Sequence, residues 1–445
     1  MNYIPVTEKE KQEMLRVIGV DSIDALFDII PQKAQIKKLN LPEGLDEHTL
    51  FKKLSDLSSK NVSIKNYVSY KGAGIYEHFI PSVVSEVIGR SEFYTAYTPY
   101  QPEASQGTLQ AIFEYQSMLC ALTSMDVANA SLYDGASACA EACLLATRSS
   151  GKNKIIYSSG IHPHYLTVTK TYFEGSSIKL IEAPLNNGST NLNTLNSLIN
   201  EETAGLLIQS PNFFGIIEDL QAIKEKIKDN ALFIVAVNPI ALGVLQSPGE
   251  CGADICVGEG QSLGNPTSFG GSLFGFMSAK STHTWKLPGR FVGKTHDTNG
   301  RVGFVLTLQS REQHIRREKA TSNICTNSAL NALAACTYLA AMGPEGLKEI
   351  GEANVAKSHY AFNKITALKG FEALYKDAPF FNEFAIKTTK NIVNIQKALF
   401  ENKILGPVEV ALFDENKKDV LLFCVTELRT KNEIDKLVSI LEAVK

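Results

Sequence analysis

Residues 253–276 read ADICVGEGQSLGNPTSFGGSLFGF, and the order of apolar and glycine-rich runs in this stretch decides the fold. An apolar run, Ile255–Val257, enters a turn crowded with glycine, and a second, Leu273–Phe276, leaves it. The pattern predicts a strand, a Gly-rich loop and another strand, a unit that in α/β enzymes often surrounds a cofactor. Yet from Gly252 to Ala279 there is no lysine, histidine or arginine, and the only acids are Asp254 and Glu259. The loop has the form of a cofactor site without a nucleophile.

Working outward, β-rich runs at Lys154–Tyr157, Ile178–Glu182, Gly205–Gln209, Leu232–Val237 and Leu273–Met277 alternate with helical stretches at 105–125, 135–148, 163–173, 193–200 and 219–228. That alternation predicts an α/β fold with a mainly parallel sheet covered by helices on both faces. A long apolar helix over 326–342 precedes short strands at Phe371–Leu374, Phe384–Ile386, Val408–Leu412 and Val420–Val425 and a last helix over 431–444. MGPEGLKEIG breaks the pattern near 345. The expected domains are an N-terminal helical arm and recognition segment over 1–103, a large α/β domain over 104–344 and a small α+β domain over 345–445. Thr7 is expected to cap a helix over EKEKQEMLRVIG.

Composition narrows the function. With 445 residues, 44% hydrophobic and 20% charged, the chain is an ordinary globular protein of two or more domains. A net charge of −3 gives no reason to expect a nucleic acid or an anionic membrane as partner. No apolar run approaches the ~20 residues of a membrane span, and the N-terminus has neither signal-peptide nor transit-peptide character. The cytoplasm is the expected location. None of the eight cysteines forms a C-x-x-C pair, and no histidines lie near Cys139 and Cys143, so no metal site is expected.

Several constellations carry possible chemistry. DGASACAE (134–141) opens a small-residue helix where Gly135 and Ser137 expose backbone N–H groups to an anion; the competing reading makes Asp134 a plain N-cap. His162 follows the strand KIIYSSG, at the edge where an imidazole stacks on a flat ring or serves only structure. Asn238 closes the strand ALFIVAV at the ligand crevice, or begins an ordinary turn. GEGQSLG lacks the glycine spacing and following helix of a dinucleotide fingerprint, which weakens a nicotinamide reading. FYTAYTPYQP (93–102) packs Tyr94, Tyr97, Thr98, Tyr100 and Gln101 into a proline-stiffened segment and reads as a recognition loop. In REQHIRREKATSNIC (311–325) the charged part, with His314 and Arg316, fits a solvated helix face, while Thr321, Ser322 and Asn323 offer uncharged donors to an anion.

Taken together, YIPVTEKEKQEML, GAGIYEHFIP, EFYTAYTPYQPEASQGTLQ, DVANASLYDGASACAEA, QSPNFFGIIED, VGEGQSLGNP, LPGRFVGKTHDTNGR and LTLQSREQHIRREKATSNICTN make this chain resemble, over nearly its whole length, the P-protein family of the glycine cleavage system, in its separate subunit 1 (alpha) form. The resemblance implies a pyridoxal-phosphate fold-type-I (aminotransferase-like) architecture. It also implies decarboxylation of glycine, with the aminomethyl remainder passed to the lipoyl arm of H-protein, in an α2β2 heterotetramer with P-protein subunit 2. Loss of CO2 from glycine leaves a carbanion that needs the protonated cofactor ring as electron sink, so a lysine must hold the cofactor and a carboxylate must face the ring nitrogen. Aligned through the shared glycines, Gln261 stands where the lysine would be and Asn238 where the acid would be; Lys280 follows the second strand and lies elsewhere. The resemblance therefore implies a half-enzyme with a vestigial site of its own (Gly135, Ser137, His162, Asn238 and Gln261) and no covalently bound pyridoxal phosphate. It would complete a site on subunit 2 across the interface. Tyr94, Tyr97, Thr98, Tyr100 and Gln101 are then expected near substrate or ring, and Thr321, Ser322 and Asn323 near the partner's cofactor phosphate, with His314 and Arg316 as further candidates. Two other readings stand beside it: a structural or regulatory subunit that only stabilises its partner, and a self-sufficient cofactor enzyme using another lysine.

Overall fold

The computed structural model describes residues 6–36, 38–227 and 231–444. The chain forms two compact units, Met1–Val62 and Ser63–Lys445. In the first, Thr7 caps the helix Glu8–Ile18 through a reciprocal bond with Glu10, and Asp46 caps Glu47–Ser58.

The second unit is built on a seven-stranded sheet: β1 (Val127–Ala128), β2 (Lys154–Ser158), β3 (Lys179–Ala183), β4 (Thr203–Ser210), β5 (Leu232–Val237), β6 (Ile255–Glu259) and β7 (Gly275–Ala279). Their spatial order is β1-β7-β6-β5-β4-β2-β3. Strands β3, β2, β4, β5 and β6 run parallel, and β7 pairs antiparallel with both β6 and β1. The Gly-rich stretch is thus a strand–loop–strand turning the chain back beside β6, with the second strand starting two residues later than its apolar run.

Both faces of the sheet are buried, which explains its near-continuous apolar strands. Successive side chains alternate between faces: Ile156, Phe233, Val235 and Cys256 enter one core, and Ile155, Ile234, Ile255 and Val257 the other. The second core is covered by the helix Gly135–Ser150, whose Ala138, Cys139, Ala142 and Cys143 are small enough to lie flat on the strands. The helix expected over 219–228 is observed as Leu220–Ile227, its last expected residue lying outside the described residues.

Three local differences have physical causes. The helix expected over 326–342 starts at Ala329 and continues to Thr366, broken at Gly343 (φ 60°). Gly343-Pro344 reads as a stop, but a proline fits the first turn of a new helix equally well, and the chain resumes. A hairpin absent from the expectations, Phe291–His296 with Val302–Thr307, is short and half polar, with little periodic signal. The expected strand Val408–Leu412 is Val408–Glu409 followed by a 3-10 turn. The strands Phe371–Ala373, Glu383–Thr388, Val408–Glu409 and Val420–Cys424 form an antiparallel four-stranded sheet with its own apolar core.

Candidate active site

The parallel strands end on one edge, where β6 delivers Glu259, β5 delivers Asn238, and His162 follows β2. A segment the sequence analysis gave no role, Gly72–Phe79, lies across this edge. Gln261, 1% exposed, accepts at Oε1 from Tyr76 N–H (2.9 Å) and donates from Nε2 to the carbonyls of Tyr76 (3.0 Å) and Asn265 (2.7 Å). An amide can accept and donate at once, so it grips a peptide group from both sides; a lysine ammonium can only donate.

His162 holds the next link. Its Nε2–H donates to Ala73 O (2.8 Å) and its Nδ1 accepts from His164 N–H (3.1 Å), which fixes the neutral tautomer. Burial pushes its pKa down to about 4, and the ring stacks on Tyr165 (4.9 Å) rather than facing an open pocket. From the smaller sheet, buried Glu383 accepts from Ala73 N–H and from the Tyr76 hydroxyl, both at 2.6 Å.

The helix N-terminus at Gly135 has an internal anion. Glu259 Oε2 accepts from Gly135 N–H (3.0 Å), and its Oε1 accepts from Gln261 N–H (3.0 Å) and Phe274 N–H (3.1 Å). Burial pushes this carboxyl up to about 7 against those three donors. Asp134 caps the same helix through Ser137 N–H and Oγ (both 2.7 Å). Asp134 is therefore the cap, and the Gly135 N–H group is taken by a carboxyl that the chain itself supplies. Asn238 accepts from Ile240 N–H (3.1 Å), as a turn residue does, and its Nδ2 is buried without a partner.

Pyridoxal phosphate does not fit these residues. Gln261 presents an amide engaged on three sides rather than an amine, the Glu259 carboxyl occupies the N–H at the Gly135 helix start, and Asn238 carries no charge. Glu259, Glu383 and Tyr76 are the residues that sequence reasoning passed over. Glu259 was visible as a lone acid at a strand end; Glu383 carried no local signal.

The two buried carboxyls make stability depend on pH. Burial raises Glu383 from 4.5 to about 7, so the folded chain holds this proton more tightly than the unfolded one. Its stabilising contribution is complete below the unfolded pKa and is lost as pH climbs through about 7, on the order of 3 kcal/mol in all. Urea unfolding at about pH 5.5 and about pH 8 should show Glu383→Gln with a flatter pH dependence than the wild-type chain. Equal slopes would refute this.

The recognition segment lies apart, in the open. Tyr97 is 83% exposed, and Tyr94, Tyr100 and Gln101 are also exposed. Tyr94, Tyr97 and Thr98 line a cavity of about 240 Å³ together with Arg290, Thr326 and Asn327. Tyr100 meets the His314 ring edge-on (6.4 Å). Ser322 is buried, with its hydroxyl accepting from Ile324 N–H (3.0 Å); Thr321 bonds the Arg311 carbonyl (3.4 Å), and Asn323 is exposed. Arg316 is exposed and donates to Ser310 O (3.3 Å). The structure thus groups Tyr94, Tyr97 and Thr98, and separately Tyr100 with His314, while residues 321–323 do not line the cavity.

Known proteins match this chain in sequence and fold. The model of the family described as glycine cleavage system P-protein matches residues 1–441. A probable glycine dehydrogenase (decarboxylating) subunit 1 from Endomicrobium trichonymphae is 55% identical over 443 residues, covering 99% of each chain. A crystal structure of glycine decarboxylase (P-protein) of the glycine cleavage system in inhibitor-bound form superposes with a TM-score of 0.90 at 42% identity, covering 100% of both chains. The enzyme C-DES, in a mutant with glycine covalently linked to its pyridoxal-phosphate cofactor, is 15% identical with a TM-score of 0.63 over 86% of this chain and 98% of its own, and shares the fold. The architecture is pyridoxal-phosphate fold type I, as the resemblance implied. The chain belongs to the glycine cleavage system P-protein family.

Proposed function

We propose that this chain is the cofactor-free half of a two-subunit glycine decarboxylase, and that it completes an active site whose pyridoxal phosphate is held by P-protein subunit 2. The observation that carries this reading is the Gln261 side chain, closed on the Tyr76 peptide where the cofactor lysine would stand. A chain whose own site is filled by its own backbone contributes to turnover only by lending side chains to a neighbour. Tyr94, Tyr97, Thr98, Tyr100 and Gln101 are the side chains we place near the partner's substrate or ring. Thr321, Ser322 and Asn323, with His314 and Arg316, are placed near the cofactor phosphate; Asn323, His314 and Arg316 are exposed, which favours them over Ser322.

The product aminomethyl group passes to lipoylated H-protein, the assembly is an α2β2 heterotetramer, and the compartment is the cytoplasm. Among the described residues no helix is long and apolar enough to cross a membrane. Within this proposal, residues 1–103 are the arm and recognition segment, 104–344 the large domain and 345–445 the small one. Glycine–bicarbonate exchange, assayed with each chain alone and then mixed, tests the reading: exchange is expected from the mixture and not from this chain. Exchange by this chain alone, with added cofactor, would overturn it.

The alternative, a subunit that only stabilises its partner, is separated by Tyr100→Phe. Removing the hydroxyl that accepts from Arg290 Nη2 (3.3 Å) leaves the ring in place, and turnover of the assembled complex should fall about 10-fold or more. Unchanged turnover takes Tyr100 off the catalytic list.

A further inference from the structure

The cavity beside the recognition segment contains a feature that the tyrosines do not explain. Arg290 is 4% exposed and lines that cavity with Tyr94, Tyr97 and Thr98. Its Nη1 donates to Thr326 Oγ1 (3.1 Å) and Asn327 Oδ1 (3.4 Å), its Nη2 donates to the Tyr100 hydroxyl (3.3 Å), and the guanidinium lies 5.7 Å from the Tyr100 ring centre. Every one of these partners is neutral, and Nε is buried without any partner. Burial raises the Glu312 carboxyl, and Arg290, ahead of His314 and Arg311, pulls it down. Glu312 is not in ion-pair contact with Arg290, and its ion pair is with His314 (3.6 Å).

An arginine taken out of water without a contacting carboxylate is expensive, and an arriving anion offsets that cost. The planar fork of N–H groups also matches a carboxylate or phosphate in a way an ammonium does not. The hydroxyls of Tyr100 and Thr326 hold the fork in one orientation, so little freedom is left to lose when an anion arrives.

We infer that Arg290 is an anion-binding residue of the shared active site, receiving through the cavity one anionic group of a small ligand. This deepens the function proposed above and rests on it. The shared chemistry is a carboxylate or phosphate monoester oxygen pair, and two groups of the assembled enzyme have it: the carboxylate of glycine and the phosphate of the partner's cofactor. Sequence reasoning passed over Arg290 because it stands alone in LPGRFVGKTHD, with no charged residue nearer than Lys286 and Lys294.

The test uses the reconstituted two-subunit complex, with assembly checked by co-elution and wild-type exchange activity as the reference. If wild-type chains give no exchange on mixing, the parent reading fails and this inference fails with it. With active wild-type complex, Arg290→Gln should weaken one ligand by about 10- to 100-fold, the loss expected when a charged donor pair is removed. A rise in KM for glycine with unchanged cofactor affinity assigns the carboxylate. A rise in the dissociation constant for pyridoxal phosphate assigns the phosphate. Added guanidinium should partly restore Arg290→Ala, a rescue that a purely structural role would not produce. Arg290→Lys keeps a cation and loses the fork, and should weaken the same ligand by about 3- to 10-fold; this variant decides the matter if the glutamine variant does not assemble. An assembled variant in which neither constant changes by more than about twofold overturns the inference.

Discussion

Gln261→Lys will not turn this chain into a cofactor-bearing subunit, and it will be less stable than the wild type by about 3 kcal/mol or more. The substitution introduces the residue type the fold-type-I reaction needs, yet the surroundings are matched to an amide. Lysine leaves Tyr76 N–H without its acceptor and places an ammonium where the Tyr76 and Asn265 carbonyls receive Nε2. Glu259, which bonds the backbone of residue 261, already accepts from three backbone N–H groups. Urea unfolding measures the loss of stability, and absorbance after adding pyridoxal phosphate and borohydride measures imine formation. A lysine variant as stable as the wild type, with a reducible imine band, would show that the pocket is open and that the reading of a self-filled site is wrong.

Gly215→Ala should cost more, about 4 kcal/mol or beyond, enough to deplete the folded chain. Gly215 has φ 82°, a region that charges an L-residue about 1 kcal/mol. The larger part is steric: a Cβ there would stand 1.9 Å from the Glu383 carbonyl oxygen and 2.5 Å from its carbonyl carbon. The turn after β4 and the strand Glu383–Thr388 touch backbone to backbone at this point, where Phe381 N–H donates to Gly215 O (3.1 Å). Moving the strand to relieve the clash would also move the Glu383 carboxylate off Ala73 and Tyr76. Gly151→Ala is the control. Its φ is 70° at the end of the helix Gly135–Ser150, with no atom within 4 Å of a built Cβ, so it should lose only about 1 kcal/mol. Equal losses in the two variants would show that backbone conformation, not the close approach, sets the cost.

Function was legible in the sequence where residue type alone carries it. Within the function proposed above, aligned through the family's glycines, Gln261 offers no amine and Asn238 no charge, and no packing can supply either. The hydroxyl-rich segment over 93–102 stood out because its spacing fits neither helix nor strand, and its Tyr94, Tyr97, Tyr100 and Gln101 are exposed. What closes on Gln261 was not legible. GAGIYEHFIP has no periodicity, and its holding residues stand 89 and more positions away, at His162, Gln261, Glu383 and Glu427.

The sequence by itself determined the sheet and its sidedness. Apolar alternation and helix caps are local signals, and Ile155 and Ile156 face opposite cores for the same reason that a strand has a period of two. Only the tertiary structure decided that Glu259 meets the N-terminus of the helix at Gly135, that Glu383 reaches Ala73 and Tyr76, and that Arg290 stands among neutral partners at a cavity wall. Hydrogen bonds of that kind join groups far apart along the chain, and a single sequence carries no local trace of which distant donor a buried oxygen will find.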